Sequence, residues 1–578
     1  MKKIYLKKTF LKKNFFHIGI LICLAIICLY PIKDLDFPAV LNDEFGYWAN
    51  AVSFLGYNWK ELIAETPYYS WGYSVWLIPL TAIFKEYYIL YKVAIVLNLL
   101  FLFVSYFCCY YIGRKIFNNC SKYQIAVVSF LVIIYPSNIV YAQVTWSESL
   151  LYMLMWLTTV LIYSIEENYK LYKVLICVCL LGYMYIVHQR SIGIVLAAII
   201  ALFLIRKKEN GLIKSFIIPF VLLIIFFIIN SVIKNIQLEY LWSNSEISFI
   251  NNVSLNGATI GGYIDKALSN FGNLIISALG KTFYLLIASC MTILVGFFFC
   301  IKKTLFYLKK NSEFGVFYFF VGLSLVIMLC VCSVQTIDFT ERKDMVVYSR
   351  YMENAMGPIL LISFMSVINK FEKFRTLISV GFALVIASIY GIYLIIKDGK
   401  GIFNTVCSPV LGAVYEEANK NVEEMFVKIG FIITITVILL ILFSFFRSKT
   451  YRILGFCAIF TILYLWIGYY GESYVLNWRK SIDQNITLVR DYIIQEYPDS
   501  DIYYLKDQDV DEYSMNPKYM QFMLPDKPIH IIDEKEIEKL YYKNDIILLI
   551  NPRSNISSNN IILEYETTMI NLCRINDG

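Results

Sequence analysis

The chain has 578 residues, of which 58% are hydrophobic and only 16% charged, and it carries a formal net charge of +7. That composition excludes a soluble globular protein, and it defines a polytopic membrane protein. No P-loop, GxGxxG motif, CxxC pair, Cys/His metal spacing or internal repeat occurs.

Windows of about 20 apolar residues, enough to cross about 30 Å of hydrocarbon, recur along the chain. They predict thirteen spans, near 15–32, 87–113, 122–142, 148–165, 170–187, 191–206, 214–233, 275–301, 313–335, 354–370, 375–397, 425–446 and 451–470. Residues 1–14 form a basic N-terminus with Lys2, Lys3, Lys7, Lys8, Lys12 and Lys13, expected on the cytoplasmic side. No small-residue cleavage site precedes Pro31, so span one reads as a retained anchor. Further basic clusters at Arg114-Lys115, Arg206 to Lys208, Lys302-Lys303, Lys309-Lys310, Lys373 to Arg375 and Arg447 to Arg452 alternate with poorly basic loops, as that orientation requires.

The first loop, residues 33–86, holds only Lys33, Lys60 and Lys85 and is therefore placed outside. Its Asp34-Leu35-Asp36 looks like a DxD metal motif but reads mainly as lead-in from span one. A helix from Asn42 to Leu55 would put Asp43, Tyr47 and Asn50 on a polar stripe and Glu44, Trp48, Ala51 and Leu55 on an apolar one, lying flat on the membrane with Asp43 toward a cavity. The plain alternative is that Asn42 caps this helix and the two acids favour its positive end. Aromatic residues follow from Pro67 to Tyr73, among them Tyr69 and Trp71, suited to sugar faces and equally to a membrane interface. The apolar run 72–84 is too short to span and reads as an interfacial helix.

Three more outward positions carry chemistry. Thr145-Trp146-Ser147-Glu148 sets an acid at the mouth of span four, where ordinary capping is the alternative. His188-Gln189-Arg190 occupies a tight turn, where Arg190 either snorkels to lipid or binds an anion. In Tyr348 to Glu353, Arg350 offers a fork to phosphate and Tyr351 an aromatic wall, with Glu353 as a partner that could hold Arg350. Cys407 and Cys573 are the two cysteines clearly outside the spans, and only their number supports a disulfide between them.

From Glu472 onward the composition turns water-soluble. Residues 472–578 hold 11 Lys plus Arg against 19 Asp plus Glu, a net of −8, which leaves +15 on the membrane part. This tail is expected to be an exported α/β domain. It should have a helix over 477–496, strands at 502–505, 528–532 and 545–550, and a helix over 534–542.

Asp43-Glu44 after span one, an acid at the mouth of span four, Arg-Tyr before a late span, about thirteen spans and an exported C-terminal domain together resemble the GT-C superfamily of membrane glycosyltransferases. The protein O-mannosyltransferase and aminoarabinose transferase type is the nearest in pattern. The likeness covers about residues 15–475. It implies a membrane all-α fold, a GT-C-type bundle of about 13 helices over 15–471 with an amphipathic first outer loop at 33–86, plus a small extracytoplasmic α/β domain at 472–578. It also implies transfer of a sugar from a polyprenyl-phosphate donor to an acceptor hydroxyl of a glycan, lipid or protein on the outer face, in a multi-pass cell-membrane enzyme of envelope glycan synthesis.

On the matching positions, Asp43 looks like the general base, with Glu44 beside it. Glu148 looks like the second acid, and Arg350 with Arg190 would neutralise the leaving phosphate. His188, Tyr47, Tyr69, Trp71 and Tyr351 fall in as substrate-binding candidates. No cofactor is required by this reading, and no residue pattern supports a divalent metal. The sequence departs from relatives in lacking a Pro-Pro after the first loop helix, in having Glu for the more usual Asp at the second acid, and in His-Gln-Arg where some relatives have Lys.

Physical chemistry reaches the same reading from the residues. A lipid-linked donor needs an apolar groove, a cation at headgroup depth and an acid within reach, and all three are expected on one face. The principal alternative is a transporter or flippase of lipid-linked saccharides, which favours inverted repeats and mid-span Gly or Pro breaks. A non-enzymatic envelope assembly protein is a third.

Overall fold

The computed structural model describes residues 2–38, 41–64, 66–207, 212–243, 260–310, 314–340, 342–371, 373–397, 407–480, 482, 485–507, 515–540, 546–554 and 561–575. Among these, nine helices are long and apolar enough to cross a membrane, ten if a bent pair counts as one span. The chain is a multi-pass membrane protein.

Every expected span has a helix, but five differ from expectation in a way that matters. Span three is broken into Lys122–Ile133 and Pro136–Ala142, which meet at 62°. Pro136 lacks the N–H a continuing helix needs and drives Tyr135 into extended backbone, at φ −50° and ψ 132°. The expected spans five, six and ten are helices of only 17, 16 and 13 residues, Leu171–Val187, Ile192–Lys207 and Met356–Ile368. At about 1.5 Å per residue none reaches across about 30 Å unaided.

The expected span 275–301 is corrected to two helices, Phe271–Ala288 and Thr292–Lys310. They are separated by Cys290 and Met291 in left-handed backbone, at φ 46° and 60°. Hydropathy ran through this turn because its residues are apolar, and sequence periodicity does not register a reversal made of apolar residues.

The first loop holds the helices Leu41–Ser53, Lys60–Ile63 and Ser74–Ile83. The Leu41–Ser53 helix does not lie flat on a membrane surface, as its stripes predicted. Glu44, Tyr47, Trp48, Asn50 and Ala51 are all buried, because the helix is enclosed by the rest of the first loop, by Thr145, Ser147 and Gln237 of the bundle, and by the C-terminal domain. Trp48 packs its ring at 5.4 Å from Phe522, and Lys518 Nζ donates to Asn42 Oδ1 at 3.0 Å.

The final long helix, Lys449–Lys480, runs past the expected boundary at 471, and the helix expected over 477–496 is confined to Asn485–Glu496. The C-terminal domain then forms a five-stranded sheet of β1 (Asp501–Lys506), β2 (Ile529–Asp533), β3 (Ile546–Ile550), β4 (Ile561–Tyr565) and β5 (Asn571–Ile575), in the order β2-β1-β3-β5-β4. β1 pairs in parallel with β2 and β3, and β5 runs antiparallel to β3 and β4. The expected helix over 534–542 is a 3-10 helix at Glu534–Leu540; residues 541, 542 and 545 lie outside the described residues. β4, β5 and a helix at Met515–Met523 were not anticipated.

The domain docks on the first loop through polar contacts. Trp59 Nε1 donates to Pro525 O at 3.0 Å. Glu61 accepts from the Ile531 N–H at 2.6 Å and lies 2.7 Å from His530 Nδ1, so a first-loop carboxylate satisfies the edge strand β2.

Candidate active site

Asp43 lies in the first turn of the Leu41–Ser53 helix. Its carboxylate accepts from the Tyr69 hydroxyl on one oxygen and from Arg350 Nη1 on the other. Local sequence builds this arrangement. A Cβ at Gly46 would fall inside the Tyr69 ring, so only glycine lets Tyr69 cross the helix. Asn50 Nδ2 holds the Tyr69 carbonyl at 2.9 Å. Burial, and then the Asp43 carboxylate, hold the Tyr69 phenol well above its ordinary range, so it remains a donor.

Glu148 is brought to the same point by the kink at Pro136, which turns the chain before Thr145-Trp146-Ser147. Only 4% exposed, it accepts from Arg350 Nε at 2.6 Å and from Arg190 Nη2 on the same oxygen. Its second oxygen, Oε2, is buried without a hydrogen-bond partner. Arg350 is pinned by backbone, since the Ser349 and Arg350 N–H groups both donate to Cys407 O, at 3.2 and 3.1 Å. Its guanidinium carbon stacks 3.4 Å from the Trp146 ring centre. Arg190 stacks 4.3 Å from the centre of Tyr351 and contacts His188 Nε2 at 3.1 Å. Burial, then Arg190 and Arg350, push the His188 imidazole far below its ordinary range, leaving a neutral acceptor.

Two acids and two arginines from four separate stretches thus meet in one place, with their formal charges cancelling. Of the sequence candidates, Asp43, Glu148, Arg190, Arg350, Tyr351, His188 and Tyr69 converge directly. Tyr47 lies behind them, fully buried, with its hydroxyl donating to Ser147 Oγ at 3.0 Å. Trp71 is half-buried with an unpartnered indole N–H. The chain after it presses on the Leu171–Val187 helix so closely that a Cβ at Gly72 would meet Val187 backbone at 2.6 Å.

Glu44 faces the other way. Its Oε1 accepts from the Thr145 N–H and the Tyr91 hydroxyl, each at 2.6 Å, so it docks the helix rather than lining the pocket. Glu353 does not hold Arg350. Its carboxylate accepts from Tyr284, from Tyr141 at 2.8 Å and from Ser349 at 3.1 Å, because the turn at Arg350–Met352, which leads into the 3-10 helix Glu353–Ala355, separates it from Arg350.

Cys407 and Cys573 are both free and buried, and Cys407 instead contributes its carbonyl. Asp36 pairs with Lys92 at 2.7 Å. Among the described residues no group of three His, Cys, Asp or Glu could hold a metal ion. Sequence reasoning missed Trp146 as the platform for Arg350, although it adjoins Glu148, and missed Tyr91, Gln143 and Arg479, which give no local signal.

Helices of this number and order, with the acids and arginines at one end of the bundle and a small α/β domain over them, make up a GT-C-type membrane fold. Among solved structures the chain is similar to ArnT from Cupriavidus metallidurans. The apo form matches with a TM-score of 0.50 at 12% identity, over 96% of this chain and 97% of that one. The form bound to undecaprenyl phosphate matches with a TM-score of 0.52 at 10% identity, over 97% and 98%. No family model and no curated protein matches the sequence.

Proposed function

We propose that this protein transfers a sugar from a polyprenyl-phosphate carrier to an acceptor hydroxyl at the outer face of the cell membrane, with the C-terminal domain on that face. The observation that carries the reading is the meeting of Asp43 and Glu148 with Arg350 and Arg190 at one end of a membrane bundle. The likeness to a structure that binds undecaprenyl phosphate supports the choice of carrier.

In the reaction, Asp43 accepts the acceptor hydroxyl's proton as that oxygen attacks the anomeric carbon from the face opposite the phosphate, inverting it. The bond from the anomeric carbon to the phosphate oxygen breaks, and its electron pair leaves on the phosphate. Arg350 and Arg190 are placed to neutralise that charge in a buried setting where each contact counts for more than in water. Glu148 keeps both guanidinium groups aligned, and its open Oε2 can take a substrate hydroxyl. Since Arg350 already grips Asp43, the arriving phosphate takes over part of that grip and releases the base.

Mass spectrometry of lipid-linked saccharides and surface glycans, in cells with and without the gene, tests this. One monosaccharide-lipid should accumulate when the protein is absent. Identical profiles would count against the reading.

A further inference from the structure

The network behind Asp43 begins at the C-terminal end of the last long helix. Arg479, in the last turn of the Lys449–Lys480 helix, is 5% exposed. Its Nε donates to Phe37 O at 2.8 Å, and its Nη2 to the Tyr91 hydroxyl at 2.6 Å and to Gln143 O at 3.0 Å, while Nη1 is buried with no partner. Tyr91 passes its own proton to Glu44 Oε1 at 2.6 Å. The same carboxylate oxygen accepts the Thr145 N–H at 2.6 Å and the Thr145 hydroxyl at 3.1 Å, and that hydroxyl accepts Trp48 Nε1 at 3.0 Å. A buried cation and a buried anion are thereby joined through one phenol oxygen.

Glu44 adjoins Asp43, and successive side chains on a helix are about 100° apart, so the clamp on one carboxylate fixes the azimuth of the other. Side-chain ends lie about 5–6 Å from a helix axis, so a rotation of about 20° would carry Asp43 through about 2 Å. Misplacement by about 1 Å can cost about 100-fold in rate.

We infer that Arg479 and Tyr91 are positioning residues for Asp43, tying the helix that leads into the C-terminal domain to the orientation of the base. The catalytic meaning of this rests on the transfer reaction proposed above; the geometric meaning does not.

The test uses the full chain, in detergent micelles for exchange and affinity and in cells for donor consumption. Tyr91→Phe removes only the bridging oxygen, Arg479→Gln removes the cation, and a double variant carries both. Three quantities are read: deuterium exchange over residues 41–53, affinity for undecaprenyl phosphate, and donor consumption followed by mass spectrometry in cells.

Each single variant should exchange about tenfold faster over 41–53 and consume donor about tenfold more slowly, with undecaprenyl phosphate affinity within about twofold. The double variant should be no worse than either single one, because both cut the same chain. Unchanged exchange in Tyr91→Phe would overturn the inference, as would additive losses in the double variant or a loss of thermal stability with exchange and turnover intact. If the unaltered protein consumes no donor, the transfer reading fails, while the exchange comparison still decides whether Tyr91 orients the helix.

Discussion

At the scale of single residues the site is a closed set of charges: Arg350 touches Asp43 and Glu148, and Arg190 touches Glu148. In the proposed reaction an arriving phosphate competes with Asp43 for one guanidinium. Asp43→Asn should therefore abolish sugar transfer yet bind undecaprenyl phosphate at least as tightly as the unaltered protein. A titration showing weaker binding would mean that Asp43 helps the phosphate rather than opposing it. Gly46→Ala tests the neighbouring contact, since the added methyl must displace Tyr69 from Asp43. Donor consumption should fall by about tenfold or more with expression preserved, and unaltered turnover would show that Tyr69 is not needed there.

At the scale of elements, interruptions in helices place the chemistry. The break at Pro136 delivers Trp146 and Glu148, and the 3-10 turn Glu353–Ala355 directs Glu353 into a cage of hydroxyls while the preceding loop presents Arg350. Pro136 could be seen in the sequence, but it lay inside an otherwise continuous apolar run.

The docking of β2 on the Lys60–Ile63 helix is the element contact with a pH signature. Burial raises the Glu61 carboxyl, but the His530 and Ile531 bonds outweigh burial and leave it below its ordinary value of 4.5. A carboxyl depressed on folding contributes stability that is complete above its ordinary pKa and lost as pH falls through the folded value. Deuterium exchange of residues 529–533, normalised to the intrinsic amide rate at each pH, should therefore rise as the medium is acidified from about pH 5 to about pH 3. Glu61→Gln should raise exchange at neutral pH and flatten that dependence.

At the scale of the whole molecule, the C-terminal domain is part of the site's scaffold. A tail that served acceptor choice alone would leave the Asp43 helix untouched, whereas Phe522 and Lys518 pack against it. Truncation after Lys480 should consequently depress donor consumption for every acceptor by about tenfold or more, read by accumulation of the same lipid-linked intermediate. A truncated chain with normal donor use and altered acceptors would restore the narrower role.

Sequence alone determined the membrane class, the helical bundle, the soluble tail and the short motifs at Asp43, Glu148, Arg190 and Arg350. Hydropathy, charge asymmetry and acids at span mouths are local quantities. Tertiary structure decided which acid faces the pocket, which oxygen holds which guanidinium, and that Glu44, Tyr91 and Arg479 work from behind. Those relations join residues hundreds of positions apart, as Asp43 with Arg350 and Tyr91 with Arg479. Neither periodicity nor composition carries information about such pairings, which are set by how the helices pack.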